Sequence, residues 1–420
     1  MVALLGPPWV APAWAVPVDC YGERITSPDG AEVSGYFSSV GVDGRWAVIG
    51  ERGDDNGGTS NAGAGYIYEF DSGWVYAHQI EPEGSSSDLE EAHFGESVSI
   101  DGDWLALAGP GWDNLKGAVQ LFKRNTSTDV WEHQVTLEAE MPQQSQNFGG
   151  TASLHHGVSN DGRLVAVGAP GFEDTYGGQG AAYVYTYNSG TSQWDETLLI
   201  ASSPEANQNF GAAVAIDGNV LVVGAPGGDV DSHEDAGLAH VYRNISGTWT
   251  FEQTLEADDP EVGDQFGWSV AISGNYIIVG SQAAGSDGFA TIFRYNTGTS
   301  DWDFDQELTE DDIVGYGFSV AIDAGRAVVG DTSFVNPEDS SSSGGAFVYQ
   351  RNGSGDWVAE MRLFPICAEA DSSDQFGGSV SISGDDVFVG ALRDTATQTN
   401  EGTVYIFEDV PTCSGETECP

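Results

Sequence analysis

Carboxylates are the side chains of this sequence with the clearest capacity for chemistry. Asp229, Asp231 and Asp235 lie close together in one segment that begins with a glycine pair. Calcium takes several carboxylate and carbonyl oxygens from a flexible loop. The spacing therefore predicts a calcium site at these three residues, and calcium is the only cofactor expected. A solvated acidic loop without a metal is the competing interpretation.

Further candidates for ligand contact lie in the segments between predicted strands, because function concentrates on loops that a rigid scaffold holds. They offer carboxylate or amide oxygens, or an indole ring that can stack on a sugar. These candidates are Asp54, Asp55, Asn56, Trp112, Asp174 and Trp268.

The net charge narrows the range of partners. The chain has 65 acidic and 13 basic residues and a formal charge of −52, and only Lys116 and Lys123 are lysines. A field of this sign repels phosphates and anionic lipid surfaces, so nucleic acid and membrane insertion are not expected. The same self-repulsion favours a saline environment, where salt screens the carboxylates.

Catalytic motifs are absent from the sequence, which has no nucleophile elbow, zinc-protease helix or phosphate-binding loop. We therefore predict no catalytic residues. The pair His155-His156 is the one local feature that favours an enzyme, because it interrupts the repeat described next.

One strand-rich unit recurs along the chain. Its clearest copy runs from Phe210-Gly211 to Gly224-Ala225-Pro226, and the seven copies begin at Tyr36, Phe94, Phe148, Phe210, Phe266, Tyr316 and Phe376. Each copy contains four strand signals, and turns such as Asp101-Gly102 are typical of two-residue hairpins. Repeats of this size, with four strands each, indicate the blades of a propeller. The sequence predicts an all-β fold with seven four-stranded antiparallel blades.

The pairing of Phe-Gly with Gly-Ala-Pro resembles the FG-GAP repeat of integrin α-subunit propellers and of many secreted microbial proteins. The resemblance covers the chain from about residue 23 to 408. It implies an adhesion or binding role. It also implies calcium loops between the first two strands of a blade, but this chain has tight turns such as Asp217-Gly218 there. The integrin-type calcium site is therefore missing.

The order of strand signals predicts how the ring closes. A lone strand of the fourth type, Glu23 to Ser27, begins the repeats, and a strand of the third type, Thr403 to Phe407, ends them. The first strand should complete the last blade as its outermost strand. Cys20 and Cys413 would then lie at the same end of neighbouring strands, which predicts a disulfide between them, with Cys20–Cys419 as the alternative.

Three regions follow from this organisation. Residues 1–19 are expected to be a signal or leader segment, because they are apolar and contain Ala13-Trp14-Ala15, which suits a signal peptidase. Residues 20–410 form the propeller, and residues 411–420 form a tail that contains cysteine. A secreted or cell-surface monomer is expected.

Three functions remain open at this point. The first is a non-catalytic binding or adhesion module that recognises an extracellular protein or glycan through its acidic loops, with possible help from a cation. The second is a propeller-type lyase or hydrolase that acts on a polysaccharide in a central pocket. The third is a purely structural surface repeat protein. A fold alone does not choose among them.

Overall fold

Seven sheets make up the molecule, each a blade arranged around one axis, and the strands of each repeat pair antiparallel. The computed structural model describes residues 18–25, 37–55, 58–150, 158–160, 164–282, 288–310, 315–335, 342–365, 374–393, 402–408 and 410. The all-β prediction with seven four-stranded blades is confirmed. No helix in these ranges is long and apolar enough to cross a membrane.

The strands follow the chain from the innermost to the outermost position of each blade, except where the N-terminal strands are added. Blade one contains β3 (Phe37–Asp43), β4 (Trp46–Glu51), β5 (Ala64–Phe70) and β6 (Trp74–Ile80). Blade two contains β7 (Ser97–Asp101), β8 (Trp104–Gly109), β9 (Ala118–Asn125) and β10 (Val130–Leu137). Blade three contains β11 (Val158–Asn160), β12 (Leu164–Ala169), β13 (Ala181–Asn188) and β14 (Gln193–Leu199). Blade four contains β15 (Val214–Asp217), β16 (Val220–Ala225), β17 (Leu238–Ile245) and β18 (Thr248–Leu255).

The remaining blades continue this order. Blade five contains β19 (Phe266–Ser273), β20 (Tyr276–Ser281), β21 (Phe289–Asn296) and β22 (Asp301–Leu308). Blade six contains β23 (Tyr316–Asp323), β24 (Arg326–Asp331), β25 (Gly345–Arg351) and β26 (Trp357–Phe364). Blade seven contains β27 (Phe376–Ser383), β28 (Asp386–Ala391) and β29 (Thr403–Phe407). The N-terminal strands are β1 (Val18–Tyr21) and β2 (Glu23–Ile25), and two short helical segments are α1 (Ser86–Leu89) and α2 (Trp112–Leu115).

The core lies between blades rather than within them. The second strand of a blade is covered on both faces, so its sequence is a continuous apolar run, as in β16, where every residue is buried. One buried cluster joins Val222 and Val241 of blade four to Val270 and Val279 of blade five. Each blade therefore depends on its neighbours to bury its apolar surface, as repeat architectures do.

The Phe-Gly and Gly-Ala-Pro sequences form the contact between consecutive blades. Gly224 of blade four lies against Gly267 of blade five, and a β-carbon at Gly224 would be 2.0 Å from the Gly267 carbonyl oxygen. Gly267 has a φ of +89°. The neighbouring Phe266 is fully buried, and its amide donates a hydrogen bond of 2.9 Å to the Ala236 carbonyl of blade four. The motif therefore holds one blade against the next.

Blades seven and one meet differently. The first blade has Tyr36-Phe37 where the others have Phe-Gly or Tyr-Gly, and a β-carbon at Gly390 would find its nearest atom at 3.4 Å. Backbone amides of β3 and its turn instead donate to serine hydroxyls of β27. The three pairs are Val40 N to Ser379 Oγ at 3.2 Å, Val42 N to Ser381 Oγ at 3.1 Å and Gly44 N to Ser383 Oγ at 3.0 Å. A row of hydrogen bonds thus replaces the glycine contact here.

The N-terminal strands join two different blades. β2 pairs antiparallel with β29, with Arg24 opposite Tyr405, and so becomes the outermost strand of blade seven. β1 pairs parallel with β26, with Cys20 opposite Leu363, and gives blade six a fifth strand. Gly22 lies between the two strands, and a β-carbon there would be 2.6 Å from the Phe407 ring.

Cys20 is buried between blades six and seven, in a cluster with Leu363, Phe407 and Val410. It is disulfide-bonded, and its partner lies outside the described residues, as does Cys413. A non-reducing peptide map is expected to link Cys20 to Cys413, because Val410 brings the C-terminal segment into the same cluster. A link to Cys367 or Cys419, or a free Cys20 thiol, would contradict this pairing.

Candidate functional site on the loop face

The two faces of the ring differ in the length of their connections. The face that we call the turn face carries the tight turns between first and second strands, where Gly102 and Gly218 have φ of +55° and +57°. The opposite face, the loop face, carries the loops between second and third strands and the links between blades. Most of the predicted ligand-binding residues lie on the loop face.

Asp54 and Asp55 stabilise the loop that contains them. The Asp54 Oδ2 atom accepts hydrogen bonds from the Tyr66 hydroxyl at 2.6 Å and the Gln79 amide at 2.9 Å. The Asp55 Oδ1 atom accepts one from the Asn61 backbone amide at 2.8 Å. Asn56 lies outside the described residues. These two carboxylates therefore have a structural role in the loop, whatever else they bind.

The loop of blade four is exposed and strongly bent. Val230 and His233 exchange two backbone hydrogen bonds, and Asp231 and Asp235 both have φ of +54°. The Asp229 Oδ1 atom accepts the Asp235 backbone amide at 3.0 Å. No three histidine, cysteine or acidic side chains within the described ranges converge closely enough to hold a metal ion. As placed, the three aspartates do not form a calcium site, and calcium binding in solution stays a prediction.

Trp112 is a packing residue and is not available as a sugar platform. It is buried in α2, its indole N–H donates to Glu138 Oε1 at 3.0 Å, and its ring meets Phe94 edge-on at 5.6 Å. A β-carbon at Gly84 would be 2.6 Å from this ring. The interpretation of Trp112 as a ligand-binding residue is therefore corrected: its ring covers the link that precedes blade two.

Asp174 lies beside an apolar cleft on the rim of blade three. The cleft has a volume of about 480 Å³, and Met141, Phe172, Leu198 and Ile200 are among its lining residues. An exposed carboxylate at the edge of an apolar surface suits a ligand with both apolar and cationic groups.

Trp268 occupies the most favourable position of the predicted residues. It lies at the loop-face end of β19, next to the axis, and it is partly exposed. Its ring lies 6.0 Å from that of Phe318, at the same end of β23 in the next blade. Phe318 is 8% exposed, and its ring is tilted by 50° relative to that of Trp268. The sequence contains a signal for Phe318: it stands two residues after Tyr316, as Trp268 stands two residues after Phe266.

Glu96 holds the same repeat position in blade two, two residues after Phe94. The Arg52 Nη1 atom of blade one donates to both Glu96 carboxylate oxygens, at 3.2 and 2.9 Å. The Glu96 side chain is 5% exposed and that of Arg52 is 32% exposed. The guanidinium is thus held in place while part of it faces solvent.

We define the axial rim as Arg52 together with the residues at this repeat position in blades two to seven. Small residues fill most of the remaining positions of the rim, so it has an aromatic pair on one side and an ion pair on the other. Its members are Arg52, Glu96, Gly150, Ala212, Trp268, Phe318 and Gly378. The rim therefore does not share the repetition of the blades that carry it.

The central channel runs along the innermost strands below the axial rim. It has a volume of about 370 Å³, and its lining combines valine, isoleucine and alanine with polar residues. The polar residues are Asp43, Ser99, Asp101, Asp217, Ser273, Asp323, Ser381 and Ser383. At the turn face, carboxylates of one blade accept backbone amides of the next: Asp43 from Gly102 and Asp217 from Gly274, each at 2.6 Å. These aspartates thus connect consecutive blades.

Titratable groups with displaced pKa values lie away from the axial rim. Burial raises the pKa of Asp331 to about 7, and this side chain has no exposed surface. The Glu307 residue as a whole is exposed, but its carboxyl group is partly buried. This burial raises the pKa of Glu307, and the negative charges of Asp258 and Asp264 raise it further. His155 and His156 lie outside the described residues.

Comparison with known proteins agrees with the repeat and the fold. The family model described as FG-GAP repeat matches residues 22–68, 194–242, 249–291 and 357–407. No curated protein sequence matches the chain.

Two solved structures are similar in fold. Sqt1 from Saccharomyces cerevisiae is 11% identical with a TM-score of 0.50, and the match covers 96% of this chain and 88% of that one. The periplasmic gluconolactonase PpgL from Pseudomonas aeruginosa is 15% identical with a TM-score of 0.51, and the match covers 85% of this chain and 96% of that one. At these identities the likeness concerns the fold alone. The chain thus carries FG-GAP repeats in four matched segments and folds as a seven-bladed β-propeller.

Proposed function

We propose that this protein is an exported, non-catalytic binding module that recognises an extracellular protein or glycan through its loop face. The observation that carries the proposal is the asymmetric axial rim, where Trp268 backed by Phe318 lies across the axis region from the Arg52–Glu96 pair. An indole can stack on a sugar ring or an apolar side chain, and a positioned guanidinium recognises a carboxylate or carbonyl group.

Export is supported by two independent features. The predicted leader precedes β1, and the disulfide at Cys20 is typical of oxidising compartments. The charge of −52 also favours saline surroundings, where only short-range contacts contribute to binding because salt screens distant charges.

The proposal is tested by binding of the purified protein to a panel of soluble polysaccharides and extracellular proteins at high ionic strength. For the ligand found, Trp268→Ala is expected to raise Kd by roughly 10- to 30-fold, the effect of losing a central aromatic contact. Phe251→Ala is the matched control, because Phe251 is an exposed aromatic residue, 40% accessible, on the outer strand of blade four. An unchanged Kd for Trp268→Ala, or an equal loss in the control, would exclude the axial rim. If no member of the panel binds, the protein is better explained as a purely structural surface repeat protein.

A second candidate function is supported by the acidic group on the loop face of blade five. Partial burial and the charge of Asp258 raise the pKa of Glu307, and a glycosidase requires a carboxyl of raised pKa beside an ionised one. A polysaccharide-acting enzyme would release reducing ends from the same panel, and Glu307→Gln would abolish that release. Release unaffected by Glu307→Gln would exclude this site.

A further inference from the structure

The outer strand of blade three differs from its counterparts. In blades one, two, four, five and six the outermost strand of the repeat pairs with its neighbour through a register shift. β14 pairs with β13 continuously from Ala182–Leu199 to Asn188–Gln193. The cause is in the sequence, where one residue fewer separates Trp194 from Leu199 than separates Trp249 from Leu255.

A bulge protects the exposed edge of a sheet from pairing with another chain, because it twists the strand and interrupts its hydrogen-bonding row. β14 is the terminal strand of its sheet and lacks this protection. Its edge therefore offers a regular row of amide and carbonyl groups to an added strand.

The structure already contains an added strand of this kind. β1 lies beside β26 and makes blade six five-stranded. The register shift of β26 lies between Ala359 and Met361, and β1 pairs only with Met361–Phe364, the regular part of the strand beyond that shift. Space for a fifth strand beside an outermost strand is thus a property of this ring, and in blade six the chain itself supplies that strand.

A furrow between β10 and β14 follows the side of this edge. Its turn-face part has a volume of about 520 Å³ and is lined by Trp104, Trp194 and Tyr187, among others. Its loop-face part is the cleft at Asp174 already described. Trp194, Glu196, Leu198 and Ile200 alternate along the strand and its continuation, so they share one face.

Exposed apolar side chains and carboxylates together determine what the furrow accepts. Met141 is 71% exposed, Leu198 38% and Ile200 39%, and an exposed apolar group of this kind marks an interaction surface. The exposed acids Glu140, Glu173 and Asp174 lie around it. Apolar contact with an acidic border is complementary to a segment that carries apolar and cationic side chains.

We infer that blade three binds an extended segment of a partner protein, with apolar side chains alternating with lysine or arginine, as a fifth strand along β14. Its backbone pairs with the β14 edge, and its apolar side chains cover Leu198, Ile200 and Met141. Its cations alternate with these side chains and therefore point to the opposite face of the sheet, on the side of the exposed Asp195. This site is separate from the axial rim. A negative result for peptide binding at β14 therefore does not contradict the proposed function.

The probe is a labelled nine-residue peptide in which lysine alternates with valine, measured by fluorescence anisotropy at constant high salt. The double variant Leu198→Ser/Ile200→Ser is expected to weaken binding at least tenfold. Phe251→Ser, on the bulged outer strand of blade four, is expected to leave Kd unchanged. A peptide of the same composition with its lysines grouped at one end is expected to bind at least tenfold more weakly.

Backbone pairing is tested separately from side-chain contact. N-methylation of alternate peptide amides is expected to abolish binding, and hydrogen exchange is expected to slow in residues 193–199 but not in residues 301–308 of blade five. Equal binding of the N-methylated or grouped peptide, equal losses in the two serine variants, or equal protection of both outer strands would overturn the inference and indicate general attraction to an acidic surface.

Discussion

Replacing Gly211 by alanine is expected to lower the free energy of unfolding by at least about 3 kcal/mol. Losses of this size in single variants have a specific structural cause. Gly211 is the glycine of the Phe-Gly pair in blade four and has a φ of +89°. A β-carbon there would be 2.0 Å from the carbonyl oxygen of Ala181 in blade three. Backbone atoms cannot move aside as a flexible side chain can, so blades three and four would have to separate locally.

Gly218→Ala is the matched control for this change. Gly218 also has a positive φ, +57°, but a β-carbon there meets no atom within 4 Å. It is expected to cost only the backbone penalty, about 1 kcal/mol. Denaturant unfolding at constant salt measures both variants through the transition midpoint. Equal losses in the two variants would show that the close approach between blades contributes nothing beyond backbone conformation.

Asp331→Ala is expected to stabilise the protein at neutral pH. Asp331 stands at the end of β24, where the Gly-Ala-Pro sequence has alanine, and its side chain is fully buried. Its Oδ1 atom accepts the Ser333 backbone amide at 2.8 Å, while Oδ2 has no hydrogen-bond partner among the described residues. Burial raises the pKa of this carboxyl from 3.8 to about 7. The folded state therefore binds a proton that the unfolded state releases.

The sign of the pH dependence follows from this difference. Between pH 4 and 7 the folded protein holds more protons than the unfolded chain at this site, so the site loses stability as the pH rises. Relative to wild type, Asp331→Ala should gain up to about 4 kcal/mol on going from pH 4 to pH 8. At pH 4 it should be less stable by about 1 kcal/mol, because the bond to Ser333 is lost.

The reciprocal variant Ala225→Asp separates this effect from the general response of an acidic protein to pH. Ala225 is the equivalent buried residue of blade four. Its replacement is expected to destabilise the protein, and more so at pH 8 than at pH 4. Urea unfolding of the three proteins across this pH range gives the comparison. Parallel curves for wild type and Asp331→Ala would contradict a displaced pKa at Asp331.

The sequence predicted the ring because its signal is repeated seven times. Each Phe-Gly copy reports the same contact between blades, so a changed copy such as Tyr36-Phe37 did not obscure the pattern. The fifth strand of blade six was not predicted, because β1 is only four residues long and carries no repeat landmark. Its position depends on packing against β26, which no local pattern of β1 specifies.

The candidate site was predicted only in part. Trp268 was recognised as an aromatic residue outside the usual tryptophan position, but Phe318 and Glu96 were not, because their shared repeat position becomes visible only when the innermost strands are placed side by side. Trp112 was misjudged for the opposite reason: its loop looks exposed in sequence, yet α2 directs its ring onto Phe94. Spacing along the chain does not show which face of a loop is covered.

The pairing of β2 with β29 also determines the stage of synthesis at which the ring can close. Arg24 donates to the Thr403 hydroxyl across 379 residues of sequence, so the strand made early must wait until nearly all seven blades have been synthesised. Contacts of such separation form late and slowly. Until the ring closes, β2 lacks its partner strand, and the face of blade one that packs against Phe388, Val404 and Ile406 of blade seven stays uncovered.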